Sequence, residues 1–157
     1  MIELLMRHGA RVPDISKWGR YYYYYYYYYY YFKHTEIARM LLENGMNPNH
    51  MNWHHVTLLH DMAQDGDIEE AQVLLDHGAD INAVDEEYRS TPLAFAARWG
   101  HRGMVALLLE RGADPRKSGA SWSTPLSWAR KKGHADIEAM LTAAVQSDTE
   151  SDGGSLC

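Results

Sequence analysis

The stretch that decides the fold is "GADINAVDEEYRSTPLAFAARWGHRGMVALLLERGAD", residues 78–114. It opens with a turn-rich loop and then sets Thr91 and Pro92 ahead of an apolar run. Threonine suits a helix N-cap, and proline suits the first helical position, where no backbone donor is lost. Small Ala96 and Ala97 let this first helix approach its neighbours closely. A second apolar run follows Gly100, with Met104, Leu107 and Leu108 at helical spacing. Gly112 then closes it in a left-handed cap that glycine adopts cheaply. The stretch predicts two short antiparallel helices preceded by a projecting loop.

The pattern recurs along the chain. Gly9, Gly45, Gly78 and Gly112 each follow an apolar run, at intervals of 36, 33 and 34 residues. Gly66, Gly100 and Gly133 mark the middle of three units, and nine residues before each stands Thr57, Thr91 or Thr124. Markers held in register across three copies indicate a repeat array, in which each unit buries its apolar face only against its neighbours.

These residues resemble the ankyrin repeat. Residues 78–114 look like a near-complete copy with one extra loop residue around Tyr88; residues 45–78 match with Leu58 in place of the usual proline. The unit after Gly112 departs at "KSGAS" from the usual N-A-x-D turn. The resemblance implies an all-α solenoid of about four to five stacked helix–turn–helix units over residues 1–146. The units fall at 1–9, 10–45, 46–78, 79–112 and 113–146. The first is truncated, and the second is disrupted by the eleven tyrosines from Tyr21 to Tyr31.

That run replaces a helix. Register places Lys33 at the central glycine slot and Tyr24 at the capping threonine, with Tyr29 and Tyr30 where other units carry small residues. Overpacking at such sites costs about 1–3 kcal/mol, and tyrosine favours strand over helix. One reading is a homopolymer expansion tolerated by the array; the other is a tyrosine platform for a partner. The chain opens in the second helix of a unit, so Met1, Ile2, Leu4 and Leu5 await cover. A longer array would supply it, or else the tyrosine segment does. Residues 147–157, "SDTESDGGSLC", are polar and acidic and are expected to be disordered.

Composition narrows the class. The formal net charge of -6 argues against nucleic acid as a main partner. The single cysteine, Cys157, excludes an internal disulfide. No apolar run reaches the length of a membrane span, and the N-terminus lacks a signal peptide's apolar core. Cytoplasmic residence follows as the expectation, with no membrane partner, in a monomer or part of a longer array.

The nine histidines raise the question of metal or catalysis. His60 fills the slot that in the resembling family bonds between repeats. His34, His101 and His134 follow the central glycine slot, while His8 and His77 precede the closing glycine. The loop with His50, His54 and His55 is a candidate zinc site, but it has no nearby cysteine. There is no phosphate loop, nucleophile elbow or HExxH motif. Asp65, Asp67, Glu69 and Glu70 read as a solvated helix start, and Asp85, Glu86 and Glu87 as an exposed loop tip. No catalytic residue and no cofactor are expected.

What remains is recognition of another protein. The loop tips and first helices of stacked repeats line a concave surface. The positions that the repeat leaves free there are Met51, Trp53, His54, Val56, Asp61 and Asp65 in the third unit. In the fourth they are Glu86, Glu87, Tyr88, Ser90, Arg98 and Trp99, and in the fifth Ser121, Ser123, Trp128, Lys131 and Lys132. Tryptophan, tyrosine and arginine dominate interface hot spots. Trp53 and Trp99 are expected to be exposed; Trp128 divides between exposure and burial against neighbouring first helices. The rival readings are a structural segment of a larger multidomain protein and the histidine-loop metal site.

Overall fold

The computed structural model describes residues 35–152, with side chains described over 39–147. The expected first unit, the tyrosine run and residues 153–157 lie outside the described residues. Among the described residues there are seven helices and, apart from one isolated bridge, no β-structure. They are α1 (Thr35–Glu43), α2 (Leu58–Asp65), α3 (Ile68–Asp76), α4 (Pro92–Trp99), α5 (Arg102–Glu110), α6 (Pro125–Lys132) and α7 (Ala135–Asp152).

The first helices α2, α4 and α6 stack in one layer and the second helices α1, α3, α5 and α7 in another. The core lies between these layers. Leu58, Leu59, Met62, Leu93, Met104, Leu108, Ile137 and Leu141 are fully buried in it. Every residue of α4 from Pro92 to Ala97 is buried. Ala96 and Ala97 leave room for α2 on one side and α6 on the other, as their size predicts.

The threonines start the first helices. Thr91 Oγ1 accepts from the Ala94 N–H at 3.3 Å, and Thr124 Oγ1 accepts from the Ser127 N–H at 3.1 Å. The third unit does this differently. His60 Nδ1 accepts from both the Thr57 N–H, at 3.2 Å, and the Thr57 hydroxyl, at 2.8 Å. Its Nε2–H therefore points the other way and donates to the Ser90 carbonyl in the next unit, at 3.1 Å. A neutral ring suits this arrangement, and burial lowers the His60 pKa from 6.5 to about 4.

Gly66 and Gly100 serve two demands at once. Both lie in the left-handed region, at φ of 75° and 83°, and both receive an imidazole from the next unit. A Cβ on Gly66 would meet His101 Nδ1 at 2.6 Å, and one on Gly100 would meet His134 Cε1 at 2.8 Å. Those rings donate through Nε2 to the carbonyls of Gln64 (2.7 Å) and Arg98 (3.3 Å). α5 and α7 thus begin docked on the first helix of the preceding unit.

Asparagines repeat the tie between the closing turns. Asn49 Oδ1 accepts from the Asp80 N–H at 2.6 Å, and Asn82 Oδ1 from the Asp114 N–H at 3.0 Å. Three expectations need correction. Asp85 is 1% exposed rather than part of a solvated tip, because its carboxylate ties that tip together. Glu70 is buried in the first turn of α3, where the helix dipole favours a carboxylate. And α7 continues to Asp152, past the boundary expected at residue 146.

Candidate functional site

The exposed surface of interest begins at the loop tips. In the third unit the tip is an Asx turn: Asn52 Oδ1 accepts from the N–H groups of His54 (2.9 Å) and Val56 (3.1 Å). The chain reverses there, and Met51 pairs with Thr57 in an antiparallel bridge. In the fourth unit Asp85 does the same work, accepting from the Tyr88 N–H (2.7 Å) and the Ser90 N–H (2.8 Å). The extra residue near Tyr88 fits inside this wider turn. Neighbouring tips are joined by backbone bonds, Glu86 N–H to the His54 carbonyl at 2.8 Å and Gly119 N–H to the Arg89 carbonyl at 2.7 Å.

The predicted site residues divide by burial. Met51, Trp53, His54, Asp65, Glu86, Glu87, Trp99, Ser121, Lys131 and Lys132 are exposed. Trp53 and Trp99 reach 59% and 50%. Val56, Asp61, Tyr88 and Arg98 are half-buried. Partial burial raises the Asp65 carboxyl above its ordinary pKa.

Ser90 and Ser123 are buried rather than open to a partner as expected, and of the two alternatives for Trp128 the structure shows burial. The reason is a knot of hydrogen bonds between units. Trp128 Nε1–H donates to Ser90 Oγ at 2.9 Å. The Ser90 hydroxyl faces the Tyr88 carbonyl at 2.9 Å and the Ser123 carbonyl at 3.4 Å. Its own carbonyl accepts from His60. Ser123 Oγ lies 2.6 Å from the Arg89 carbonyl and 2.9 Å from that of Ala120. These small polar residues join three units rather than meeting a partner.

Sequence reasoning passed over Trp122, which is 54% exposed at the fifth tip. It stands two residues before Thr124, as His55 and Arg89 stand before Thr57 and Thr91. Comparing that column would have found it. Trp122 meets Trp128 edge-on, with ring centres 6.1 Å apart, and Tyr88 meets both Phe95 and Trp128 in the same manner. Tyr88, Arg98, Trp99, Trp122, Trp128 and Lys131 therefore form one continuous aromatic and cationic patch.

His55 Nδ1 pairs with Glu86 Oε1 at 2.8 Å. Among the described residues no group of three or more His, Cys, Asp or Glu side chains is placed to hold an ion. An open cleft of about 510 Å³ lies on the other layer, between α1 and α3, lined by Arg39, Glu43, Glu69, Gln72, Val73, Asp76 and His77. Two of its polar groups are already engaged: His77 Nδ1 with the Val73 carbonyl, and Asp76 with Arg111. No helix among the described residues is long and apolar enough to cross a membrane.

Comparison with known proteins gives a consistent result. A family model described as ankyrin repeats, three copies, matches residues 26–119 and so begins inside the tyrosine run. Cyclin-dependent kinase 4 inhibitor B of Mus musculus is 34% identical over 111 residues, covering 71% of this chain and 85% of that protein. Palmitoyltransferase Hip14 of Drosophila melanogaster is 42% identical over 79 residues, half of this chain but 12% of that one. ARF GTPase-activating protein GIT1 of Homo sapiens is 35% identical over 83 residues, 53% of this chain and 11% of that one.

Proposed function

The chain belongs to the ankyrin-repeat family, and we propose that it is a non-enzymatic module that binds another protein through its loop tips and first helices. The observation that supports this most is the presence of three tryptophans, Trp53, Trp99 and Trp122, at least half exposed on those elements. Exposed indoles are costly to keep in water, and they are the side chains from which interfaces draw most energy. Charges of both signs surround them: Glu86 and Glu87 on one tip, Lys131 and Lys132 at the end of α6. Residence in the cytoplasm, as a monomer or within a longer array, belongs to the same reading.

The test is affinity capture with the intact chain and a Trp53→Ala/Trp99→Ala variant of unchanged melting temperature. Specific partners should be lost from the variant. Equal recovery by both forms would refute binding through this face.

A second reading has its own support. The chain covers 12% of Hip14 and 2% of the Drosophila ankyrin repeat and KH domain-containing protein mask. A structural segment within a larger multidomain protein fits those proportions. Such a segment predicts no partner that depends on the tryptophans.

A further inference from the structure

Arg98, near the end of α4, occupies an unusual place. Its guanidinium carbon lies 3.9 Å from the centre of the Tyr88 ring and 4.4 Å from that of Trp128. Those two rings meet at 79°, so the guanidinium fills the corner between them. Trp99 stands 5.6 Å away. Lys131 brings its ammonium to 4.9 Å from the Trp128 ring. Trp122 borders the same group from the fifth tip.

Among the described residues the cations of this corner have ring partners but no acidic ones. Nε and Nη1 of Arg98 are buried with no hydrogen-bond acceptor, and the side chain as a whole is half-buried. Among the described residues no carboxylate pairs with Arg98, Lys131 or Lys132, whereas Arg102, Arg111 and Arg130 each have one, namely Asp136, Asp76 and Glu138. Stacking removes water from the faces of a guanidinium and leaves its edge to bind an oxyanion. In a chain with a net charge of -6, an unneutralised cationic corner is a local inversion of sign.

We propose that this corner is the subsite for an acidic side chain of an extended protein segment, with Trp99 and Trp122 holding an aromatic or apolar neighbour of that side chain. The proposal rests on the protein-binding reading above and names the chemistry of the partner. A carboxylate suits this corner by charge, as a single anionic group able to meet the exposed Lys131 ammonium beside the half-buried Arg98. Nucleic acid matches less well. Glu86 and Glu87 on the adjoining tip, with Asp61 and Asp65 on α2, would repel a continuous polyphosphate laid along the same face. A peptide that is acidic at one end and neutral or basic beyond it complements both regions.

Titration of the intact chain, followed by tryptophan fluorescence and calorimetry, tests the proposal. The probes are a short synthetic peptide alternating Glu with Phe, its Gln counterpart, and single-stranded oligo-dT of similar length. The Glu peptide should bind, more weakly as salt rises, and the Gln peptide should bind about tenfold less tightly or worse. Arg98→Gln should abolish the preference. Because Arg98 is half-buried, the exposed variants Trp122→Ala and Lys131→Gln supply an independent reading. Each should weaken the Glu peptide about fivefold without moving the melting temperature, while Trp53→Ala should not.

Equal binding of the Glu and Gln peptides, stronger binding of oligo-dT, or unchanged affinity in Arg98→Gln would each overturn the proposal. A natural partner lost by Trp53→Ala/Trp99→Ala but retained by Trp122→Ala and Lys131→Gln would leave the protein-binding reading standing and remove this one.

Discussion

The fourth and fifth loop tips solve the same problem by different means. In the fourth, a buried Asp85 carboxylate gathers two backbone N–H groups and fixes the turn from within. The fifth has no acid at that place. Its Ser118 hydroxyl bonds to the Ala120 carbonyl, and the tip leans on its neighbour: Gly119 N–H and Ser123 Oγ both reach the Arg89 carbonyl. Arg89 Nη2 returns a bond to the Gly119 carbonyl at 3.2 Å. Both tips also bond to the unit before them, but only the fourth carries an internal carboxylate, so the fifth leans more on its neighbour. The cationic corner lies where the two meet.

Removing the internal tie should have the largest effect. Asp85→Ala leaves two buried or half-buried N–H groups unpaired and should cost about 3 kcal/mol or more, measured by urea denaturation. It should also loosen the fifth tip, seen as faster amide exchange at Gly119. An unchanged fifth tip would break the proposed dependence.

The fourth tip is also held from the third unit, through His60, and that bond depends on pH. The folded pKa of His60, about 4, lies below its ordinary 6.5. The native state therefore binds fewer protons than the unfolded chain between those values. Stability due to the neutral ring is fully present above pH 6.5 and is lost as pH falls towards 4, by on the order of 3 kcal/mol. Replacing the ring by glutamine should flatten that part of the profile. A slope that survives His60→Gln would assign the effect elsewhere.

Ser90→Ala should come next. It strands the Trp128 Nε1–H in a buried site, at about 1–2 kcal/mol, and frees the Trp128 ring that backs Arg98. The smallest expected effect has the opposite sign. His55 and Arg89 sit at positive φ, 56° and 52°, while Trp122 in the same column does not. His55→Gly should relieve strain and stabilise by about 0.5 kcal/mol, after allowing for the entropy of glycine. Trp122→Gly should give no such gain.

The framework was legible because the backbone dictates residue type at its markers. Thr91 and Thr124 cap, Pro92 and Pro125 start helices, and Gly66 and Gly100 both turn left-handed and admit an imidazole. Alanines in α4 announced close packing. The surface was legible only in part. At the capping threonines themselves the chain is extended. The column one residue before them, Val56, Ser90 and Ser123, is half-buried or buried; the column two before, His55, Arg89 and Trp122, is exposed. Serine looks polar and free in a sequence, yet Ser90 and Ser123 spend their groups on bonds between units. Such bonds have no period within a single unit, so a unit-by-unit reading does not contain them. Asp85 was misplaced for a different reason: within an acidic run its side chain alone folds back onto the Tyr88 and Ser90 N–H groups of its own tip.

The most direct test of the account is amide hydrogen exchange of the intact chain, free and saturated with a captured partner. Binding should add protection at residues 51–57, 85–91 and 118–124 and along α4 and α6, and leave the outer amides of α3 and α5 unchanged. New protection confined to α3 and α5, around the cleft lined by Glu69 and Asp76, would place the partner on the opposite layer and contradict the account.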